Sequence, residues 1–331
     1  MKRLRAASSR PSFAALAAVL LFAPGGAAAS CGSDMCVLDL RGPESARGRW
    51  SMEVAYSFVD QDHVRIGTDP ATVGEIPGEH NEIETRSDVW TTTARMIASE
   101  RLSLAASLPW VKRFHAHEEE HHEDAGFYET HTWDYEGLGD LLVSGYVTPG
   151  GFLNGETWST SLMLGVKAPT GKEEVEAVEG HQPEPMARPG TGSWDGLVGF
   201  QLRRPLTTKT FSGEIIPVPL AFSITGRVNG TGTEEYKIGN EVVANFSGGW
   251  GLASNVVFLG QINARFRAKD EEAGATAENT GGTAWYATPG LSVSSGPVGV
   301  YGYWQFRLYE NVNGIQITAP SHLMFGVNYS L

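Results

Sequence analysis

The last nine residues of the chain alternate strictly between two kinds of side chain. Apolar residues occupy every odd position from Leu323 to Leu331, and Met324, Gly326, Asn328 and Ser330 lie between them. Successive side chains of a β-strand point to opposite faces, so the five apolar side chains share one face. This two-residue period constrains the fold more than any other feature, because it recurs through most of the chain.

The recurrence of this pattern predicts an all-β protein. Twelve segments carry an apolar stripe at alternate positions: 49–60, 84–99, 102–113, 137–148, 157–170, 193–206, 217–229, 242–254, 255–268, 283–294, 298–310 and 317–331. Each is as long as the roughly 9–11 residues that a tilted strand needs to cross the hydrocarbon of a bilayer. We expect the apolar stripes to face lipid and the opposite parity to face a polar lumen.

The connections between these segments alternate in length. The long ones are 61–83, 114–136, 171–192, 230–241, 269–282 and 311–316, whereas several others are tight, such as Glu100-Arg101, Ser254-Asn255 and Ser295-Gly296-Pro297. Segment 207–216 breaks the pattern. Short periplasmic turns and long outer loops are typical of outer-membrane proteins, so we predict a transmembrane antiparallel up-and-down β-barrel of about 12 strands, with both termini in the periplasm.

Aromatic residues and composition agree with a barrel. Trp and Tyr occur near many predicted strand ends: Trp50, Trp110, Trp158, Trp194, Trp285, Tyr309 and Tyr329. They fit the aromatic girdles of a membrane barrel better than the core of a soluble β-sandwich, whose strands are usually about 5–6 residues long. The net charge of −13 argues against binding to nucleic acid.

The amino terminus indicates export to the bacterial outer membrane. Residues 1–29 combine basic residues, a short apolar run from Phe13 to Phe22, and small residues at 27–29, which predicts a signal peptide. Residues 30–48 are predicted to form a periplasmic segment, followed by the barrel at 49–331. Cys31 and Cys36 fit a local disulfide in an oxidising compartment, and acylation of Cys31 is the alternative.

The predicted lumen is rich in basic side chains. It is expected to contain Arg95, Lys167, Arg203, Arg227, Arg265, Arg267 and Arg307, with Glu53 and Asp195 among fewer acids. In a narrow bore such charges would favour anions. The alternative is that the basic residues neutralise lumen acids and support the wall.

Segment 114–136 combines imidazole and carboxylate groups. We name His115, His117, His121 and His122 as candidate ligands for a divalent metal such as zinc, nickel or copper, although their spacing matches no defined motif. The alternative is a solvated acidic loop. Segment 171–192 carries five glutamates, including Glu184, and several prolines, and is expected to be a solvated mobile loop.

Three short motifs resemble a known family. They are Gly137-Leu138-Gly139-Asp140, the run from Leu164 to Gly171, and Thr191-Gly192-Ser193-Trp194-Asp195. Together they resemble the outer-membrane transporter family described as putative MetA-pathway of phenol degradation. One branch of that family also resembles this chain in its early cysteine pair and His-rich loop. The resemblance implies a barrel that passes small compounds, aromatic ones included, and it defines no binding residues.

These observations predict a porin-like channel for small solutes, aromatic or anionic, whose partners are outer-membrane lipid, the solute and the barrel assembly machinery. The alternative is a non-transport barrel that binds metal ions or a partner through its acidic, His-rich outer loops. We expect no catalytic site and no cofactor other than a metal at the His-rich segment. The segment around Gly165 to Lys172 lacks essential P-loop residues, and no Gly-x-Ser-x-Gly elbow occurs. The oligomeric state is left open.

Overall fold

The computed structural model describes residues 49–76, 82–120, 128–149, 158–176, 178 and 182–331. The predicted signal peptide and both cysteines lie outside these residues. Twelve barrel strands are present: β1 (Trp50–Gln61), β2 (Glu82–Ser99), β3 (Leu102–Glu120), β4 (Tyr128–Leu138 and Leu141–Val147), β5 (Ser159–Ala168), β6 (Asp195–Lys209), β7 (Ile215–Val228), β8 (Glu241–Ala253), β9 (Val256–Arg267), β10 (Gly282–Ser295), β11 (Val298–Val312) and β12 (Ser321–Ser330).

The strands form a closed antiparallel barrel. Each strand pairs with the next along the chain, and β12 returns to pair with β1, for example Val54 with Val327. Because β1 and β12 pair with each other, neither is left as an open edge strand. Their backbone N–H and C=O groups are therefore hydrogen-bonded, as hydrocarbon requires. The predicted all-β transmembrane barrel is therefore confirmed. Among the described residues, no helix is long and apolar enough to cross a bilayer.

The outer face of the barrel is an apolar belt. Residues of the predicted stripes are exposed, for instance Trp50 at 47%, Leu164 at 68% and Val327 at 50%. Residues of the opposite parity on the same strands, such as Ala55 and Val59, are buried inside. A wall of this kind is stable with lipid against it, so the chain is a barrel of the bacterial outer membrane.

Two strand boundaries correct the sequence prediction. Segment 114–136 is mostly not a loop: β3 runs on to Glu120, and β4 begins at Tyr128. Segment 207–216 is no exception to the short turns, because β6 extends to Lys209 and β7 begins at Ile215. The turn between them spans only residues 210–214, and it lies at the same end of the barrel as the other tight turns. Because short turns are periplasmic in outer-membrane barrels, this end faces the periplasm.

Strand β4 is interrupted at Gly139 and Asp140, and this break positions the site described below. Opposite it on β3 lies Pro109, which has no backbone N–H for the ladder. The carbonyl of Pro109 instead accepts a 2.9 Å hydrogen bond from the Gly139 N–H. The break frees Asp140 from the regular ladder and turns its carboxylate towards the barrel interior, where it is 5% exposed.

Short strands tie the outer loops together beyond the barrel. His63–Ile66 pairs with Ile315–Thr318 and with Asp69–Pro70. Val64, Ile315 and Ile317 form a small apolar core beneath them. A second small sheet joins Tyr236–Lys237, Glu271–Glu272 and Ala275–Thr276. The long-loop end is thus an ordered cap over part of the barrel mouth.

Candidate solute pathway in the barrel lumen

The segment between β5 and β6 folds inward, and we call its described residues 171–176, 178 and 182–192 the inner loop. Val175, Met186, Ala187 and Arg188 are buried, and Pro185–Ala187 forms one turn of 3₁₀-helix. Val175 and Val178 pack against Trp133 and Tyr135 of β4. The expectation of a solvated mobile loop is therefore wrong for these residues, because their apolar side chains have an inner wall to pack against.

A buried charge cluster anchors the inner loop at its base. The Lys167 ammonium lies 2.9 Å from Asp140 Oδ2 and 2.8 Å from Asp195 Oδ2. Asp140 also accepts hydrogen bonds from the Gly171 N–H, at 3.0 Å, and from the Thr191 N–H, at 3.1 Å. One carboxylate thus holds the first residue of the inner loop and its penultimate residue.

The three sequence motifs that carry the family resemblance converge on this cluster. Strand β5 ends before Pro169, which cannot continue the hydrogen-bond ladder. The next residue, Thr170, accepts a 2.9 Å hydrogen bond at its side-chain oxygen from the Leu141 N–H. Because three distant segments meet here, we name Asp140, Lys167 and Asp195 the anchor cluster.

Two glycines allow the loop to cross itself above the anchor cluster. A Cβ on Gly171 would lie 2.6 Å from the Cα of Gly190, and a Cβ on Gly190 would lie 2.5 Å from the carbonyl carbon of Gly171. No residue with a side chain fits such a crossing. The approach is held by a 2.9 Å hydrogen bond from the Gly190 N–H to the Lys172 carbonyl.

The tip of the inner loop is bound to the barrel wall. The Ala187 carbonyl accepts hydrogen bonds from the Arg113 guanidinium and, at 2.6 Å, from the Tyr135 hydroxyl. Arg113 also donates to Ser87 Oγ at 2.9 Å. Arg188 pairs with Glu234 at 2.7 Å. The 3₁₀ turn is therefore held across the lumen from two sides.

Beneath this turn lies a cavity of about 350 Å³. Apolar groups from Met186, Leu197 and Met324 line it together with the basic side chains of Arg113, Lys167, Arg188, Arg227, Arg265 and Arg267. Acids in the lining are fewer, namely Asp140, Asp195 and Glu241. The lining of this cavity thus combines apolar surface with more basic than acidic side chains.

Eight of the nine predicted lumen residues fall into two groups, and Arg307 is separate. Lys167, Asp195, Arg227, Arg265 and Arg267 line the cavity near the long-loop end. Glu53, Arg95 and Arg203 lie towards the short-turn end, where Glu53 accepts a 2.8 Å hydrogen bond from the Tyr301 hydroxyl. Arg307 lies apart from both and pairs with Glu310 at 2.7 Å. All nine are on the barrel strands predicted to carry them.

Most of the basic cavity residues have acidic partners. Arg265 pairs with Glu241, and Arg267 binds both carboxylate oxygens of Asp270, at 3.0 and 2.9 Å. Together with the anchor cluster, these pairs fit the alternative in which basic residues neutralise lumen acids. Arg113 differs, because its hydrogen bonds above go to neutral oxygens. Arg113 was not among the lumen residues predicted from the sequence, although its odd position on the predicted strand 102–113 places it on the lumen face.

Large lumen residues on one side of the barrel lie against the wall. The ring of Tyr301 covers Gly326, and that of Tyr303 covers Gly290. Further along, Asn263 donates a 2.7 Å hydrogen bond to Asn245 and accepts one of 2.5 Å from Thr288. These contacts keep bulky side chains on the wall and away from the axis.

Two of the four predicted metal ligands meet a third group from the inner loop. His115 and His117 face the lumen from β3, and Glu184 lies 3.2 Å from His115 Nε2 and 3.3 Å from His117 Nδ1. Burial alone would raise the pKa of Glu184, but the two nearby imidazoles outweigh burial and hold it well below its usual range. His121 and His122 lie outside the described residues. No sequence pattern indicated that Glu184 would join the histidines.

Comparison with known proteins supports the fold. No family model matches the chain, and no curated protein does. The solved structure of the COG4313 outer membrane channel from Pseudomonas putida F1 is similar, with a TM-score of 0.64, 10% sequence identity, and coverage of 88% of this chain and 99% of that chain. At this identity the likeness shows a shared barrel fold.

Other solved barrels are less similar. A FadL homologue from Pseudomonas aeruginosa matches at a TM-score of 0.43 and 9% identity, over 85% of this chain and 90% of that one. The CymD monoaromatic hydrocarbon channel matches at 0.40 and 10% identity, over 89% of this chain and 92% of that one.

Proposed function

We propose that this barrel is an outer-membrane channel for small amphipathic solutes, with aromatic carboxylates as the best-fitting class. The observation that supports this proposal most directly is the cavity of about 350 Å³ under the inner loop. Its size suits a small molecule. Met186 and Met324 offer adaptable apolar surface, and Arg113 offers a cation bonded to neutral oxygens.

The inner loop serves as the constriction of this channel. It crosses the lumen at the long-loop end, where it is bound at its base by Asp140 and at its tip by Arg113. A solute entering from outside meets this loop before it reaches the cavity. Membership of the MetA-pathway transporter family is part of the same proposal, and it is supported by the convergence of the three motifs on the anchor cluster.

Conductance and solute uptake test the proposal. The full chain, refolded and placed in planar bilayers, is expected to show small single-channel currents. Replacing residues 182–188 by a short Gly-Ser linker is expected to raise the conductance, because it removes the turn from the lumen. A matched control shortens the exposed outer hairpin at Ala273 and Gly274 and is expected to leave conductance unchanged.

Liposome swelling then distinguishes solute classes. We expect faster swelling with benzoate than with a neutral disaccharide or with an organic cation of similar size. If neither the wild type nor the linker variant conducts ions or admits benzoate, the channel proposal is wrong. Activity towards ester or lipid substrates in the same preparation would instead favour an enzyme and contradict our expectation.

A further inference from the structure

The contact between β3 and the inner loop joins three groups that share one chemistry. One ring nitrogen of His115, one ring nitrogen of His117 and a carboxylate oxygen of Glu184 all lie within 4.8 Å of one another. His115 is fully buried, whereas His117 and Glu184 are each about a quarter to a third exposed, at 28% and 29%. One ligand is therefore enclosed, and the other two are partly accessible to solvent.

The contact between His115 and Glu184 is close but does not have the geometry of a hydrogen bond. Nε2 of His115 and Oε2 of Glu184 are both buried, and neither atom has a hydrogen-bond partner among the described residues. Yet the two atoms are only 3.2 Å apart. Leaving two buried polar atoms facing each other without a hydrogen bond is costly. A bound ion or molecule that contacts both atoms would remove this cost.

Thr85 on β2 indicates that the missing third group is a cation. Its hydroxyl lies 2.7 Å from His115 Nδ1. When Nδ1–H donates to this oxygen, the lone pair of Nε2 points at the carboxylate. In that tautomer both facing atoms are electron-rich, and a cation bound between them would stabilise the contact. Metal-bound histidines commonly donate their second ring N–H to an oxygen in this way, which fixes the tautomer.

The spacing also fits a metal ion. Zinc binds histidine nitrogen at about 2.0–2.1 Å and carboxylate oxygen at about 2.0–2.2 Å, so tetrahedral ligand atoms lie roughly 3.3 Å apart. The imidazole–carboxylate separations, 3.2 Å from His115 to Oε2 of Glu184 and 3.3 Å from His117 to Oε1, are close to this value. Two imidazoles and one carboxylate are a donor set for zinc-class metals and a poor one for calcium, which prefers six or more oxygens.

We propose that His115, His117 and Glu184 bind a divalent transition-metal ion of the zinc class, which fastens the inner loop to the barrel wall. Glu184 immediately precedes the 3₁₀ turn Pro185–Ala187 that lies over the cavity. A metal at this position adds a third attachment beside Arg113 and Tyr135 and holds the turn in the lumen. The site stands independently of solute passage, so its test does not depend on the proposed channel.

Isothermal titration calorimetry of the full refolded chain with zinc chloride tests the site directly. Wild type is expected to bind one zinc ion at this site. H117A and E184Q are each expected to weaken binding at least tenfold, since each removes one of three ligands. T85V is expected to weaken it by roughly tenfold, as loss of an orienting outer-shell partner does. H63A is the matched control, because His63 is an exposed histidine beside Asp62 and is expected to bind as wild type.

The His-rich tract outside the described residues needs its own variant. H121A/H122A is expected to retain the zinc site. If that variant loses binding while E184Q keeps it, the metal is held elsewhere and the proposal is wrong. Absence of binding in wild type, or calcium binding as tight as zinc, would overturn it equally. Should H117A fail to refold, E184Q still decides, because Glu184 lies in the inner loop and not in a strand.

Discussion

Asp140 and Lys167 form a 2.9 Å salt bridge in the barrel interior, and both are nearly buried, at 5% and 13% exposure. They lie 27 residues apart in the chain. The bridge joins the break in β4 to the end of strand β5, and the same carboxylate holds both ends of the inner loop. The position of the inner loop therefore depends on one lysine and its two acidic partners.

Removing this lysine is expected to destabilise the protein strongly. In K167M, Asp140 and Asp195 would face each other without a cation, and breaking a buried pair in this way costs about 3–5 kcal/mol. K172M makes the same chemical change at an exposed lysine of the inner loop and should cost little. Urea unfolding of the refolded barrels measures the difference. Equal midpoints for the two variants would show that the anchor cluster contributes nothing to stability.

The crossing of the inner loop gives a steric prediction. In G171A the new Cβ would lie 2.6 Å from the Gly190 backbone, so the loop must move, at a cost of about 1–3 kcal/mol. G196A is the control, because a Cβ there meets nothing within 4 Å. Thermal unfolding should separate the two variants, and bilayer conductance should change only in G171A. A G171A barrel as stable as G196A would contradict the close crossing.

The strands were predictable because lipid imposes its own pattern on the sequence. Each stripe of alternate apolar residues, such as that ending at Leu331, became a barrel strand. The prediction was wrong where strands leave the lipid. Beyond Val111, the outward-facing side chains of β3 include Lys112, and those of the paired strand β4 include Asp134 and Glu136. These three charged side chains are exposed. The strand continues there, but nothing requires its outer face to be apolar.

The site was less predictable, because it depends on contacts between distant segments. The alternation of side chains predicted Lys167 and Asp195 for the lumen face, but no local pattern shows that these two side chains would meet there with Asp140. The inner loop was misread because its acidic composition resembles that of a solvated loop. Its burial comes from a few residues, including Met186 and Ala187, that pack on a wall formed by other strands. The role of Glu184 beside His115 appears only once that packing is known.

The polar layer of the lumen wall is expected to contribute to stability. Asn263 is fully buried, and its Oδ1 accepts from Thr288 Oγ1 at 2.5 Å and from Gln305 Nε2 at 3.2 Å. N263A would leave these buried donors without that acceptor, which costs about 1–3 kcal/mol. N255A changes an exposed asparagine in a turn and should be neutral. Unfolding in urea tests this, and identical stabilities would show that other groups satisfy the layer.

Arg113 is expected to set the ion preference of the lumen. It lines the cavity and donates to the neutral oxygens of Ser87 and Ala187, so its charge acts on a passing ion. Its removal in R113M should weaken the preference for anions, because charges that line a bore control selectivity. At a contact distance in water one unit charge contributes about 1 kcal/mol, which corresponds to roughly a fivefold change in permeability ratio. R113K keeps the charge and should retain the preference.

Reversal potentials in asymmetric potassium chloride measure this effect. The matched control is R204M, because Arg204 lies over the Trp158 ring and does not line the cavity. If R113M and R204M shift the reversal potential equally, the change reflects the net charge of the barrel and not the position of Arg113. A wild-type channel that prefers cations would remove the anionic part of the solute assignment, while leaving the inner loop and its attachment to Arg113 and Tyr135 as described.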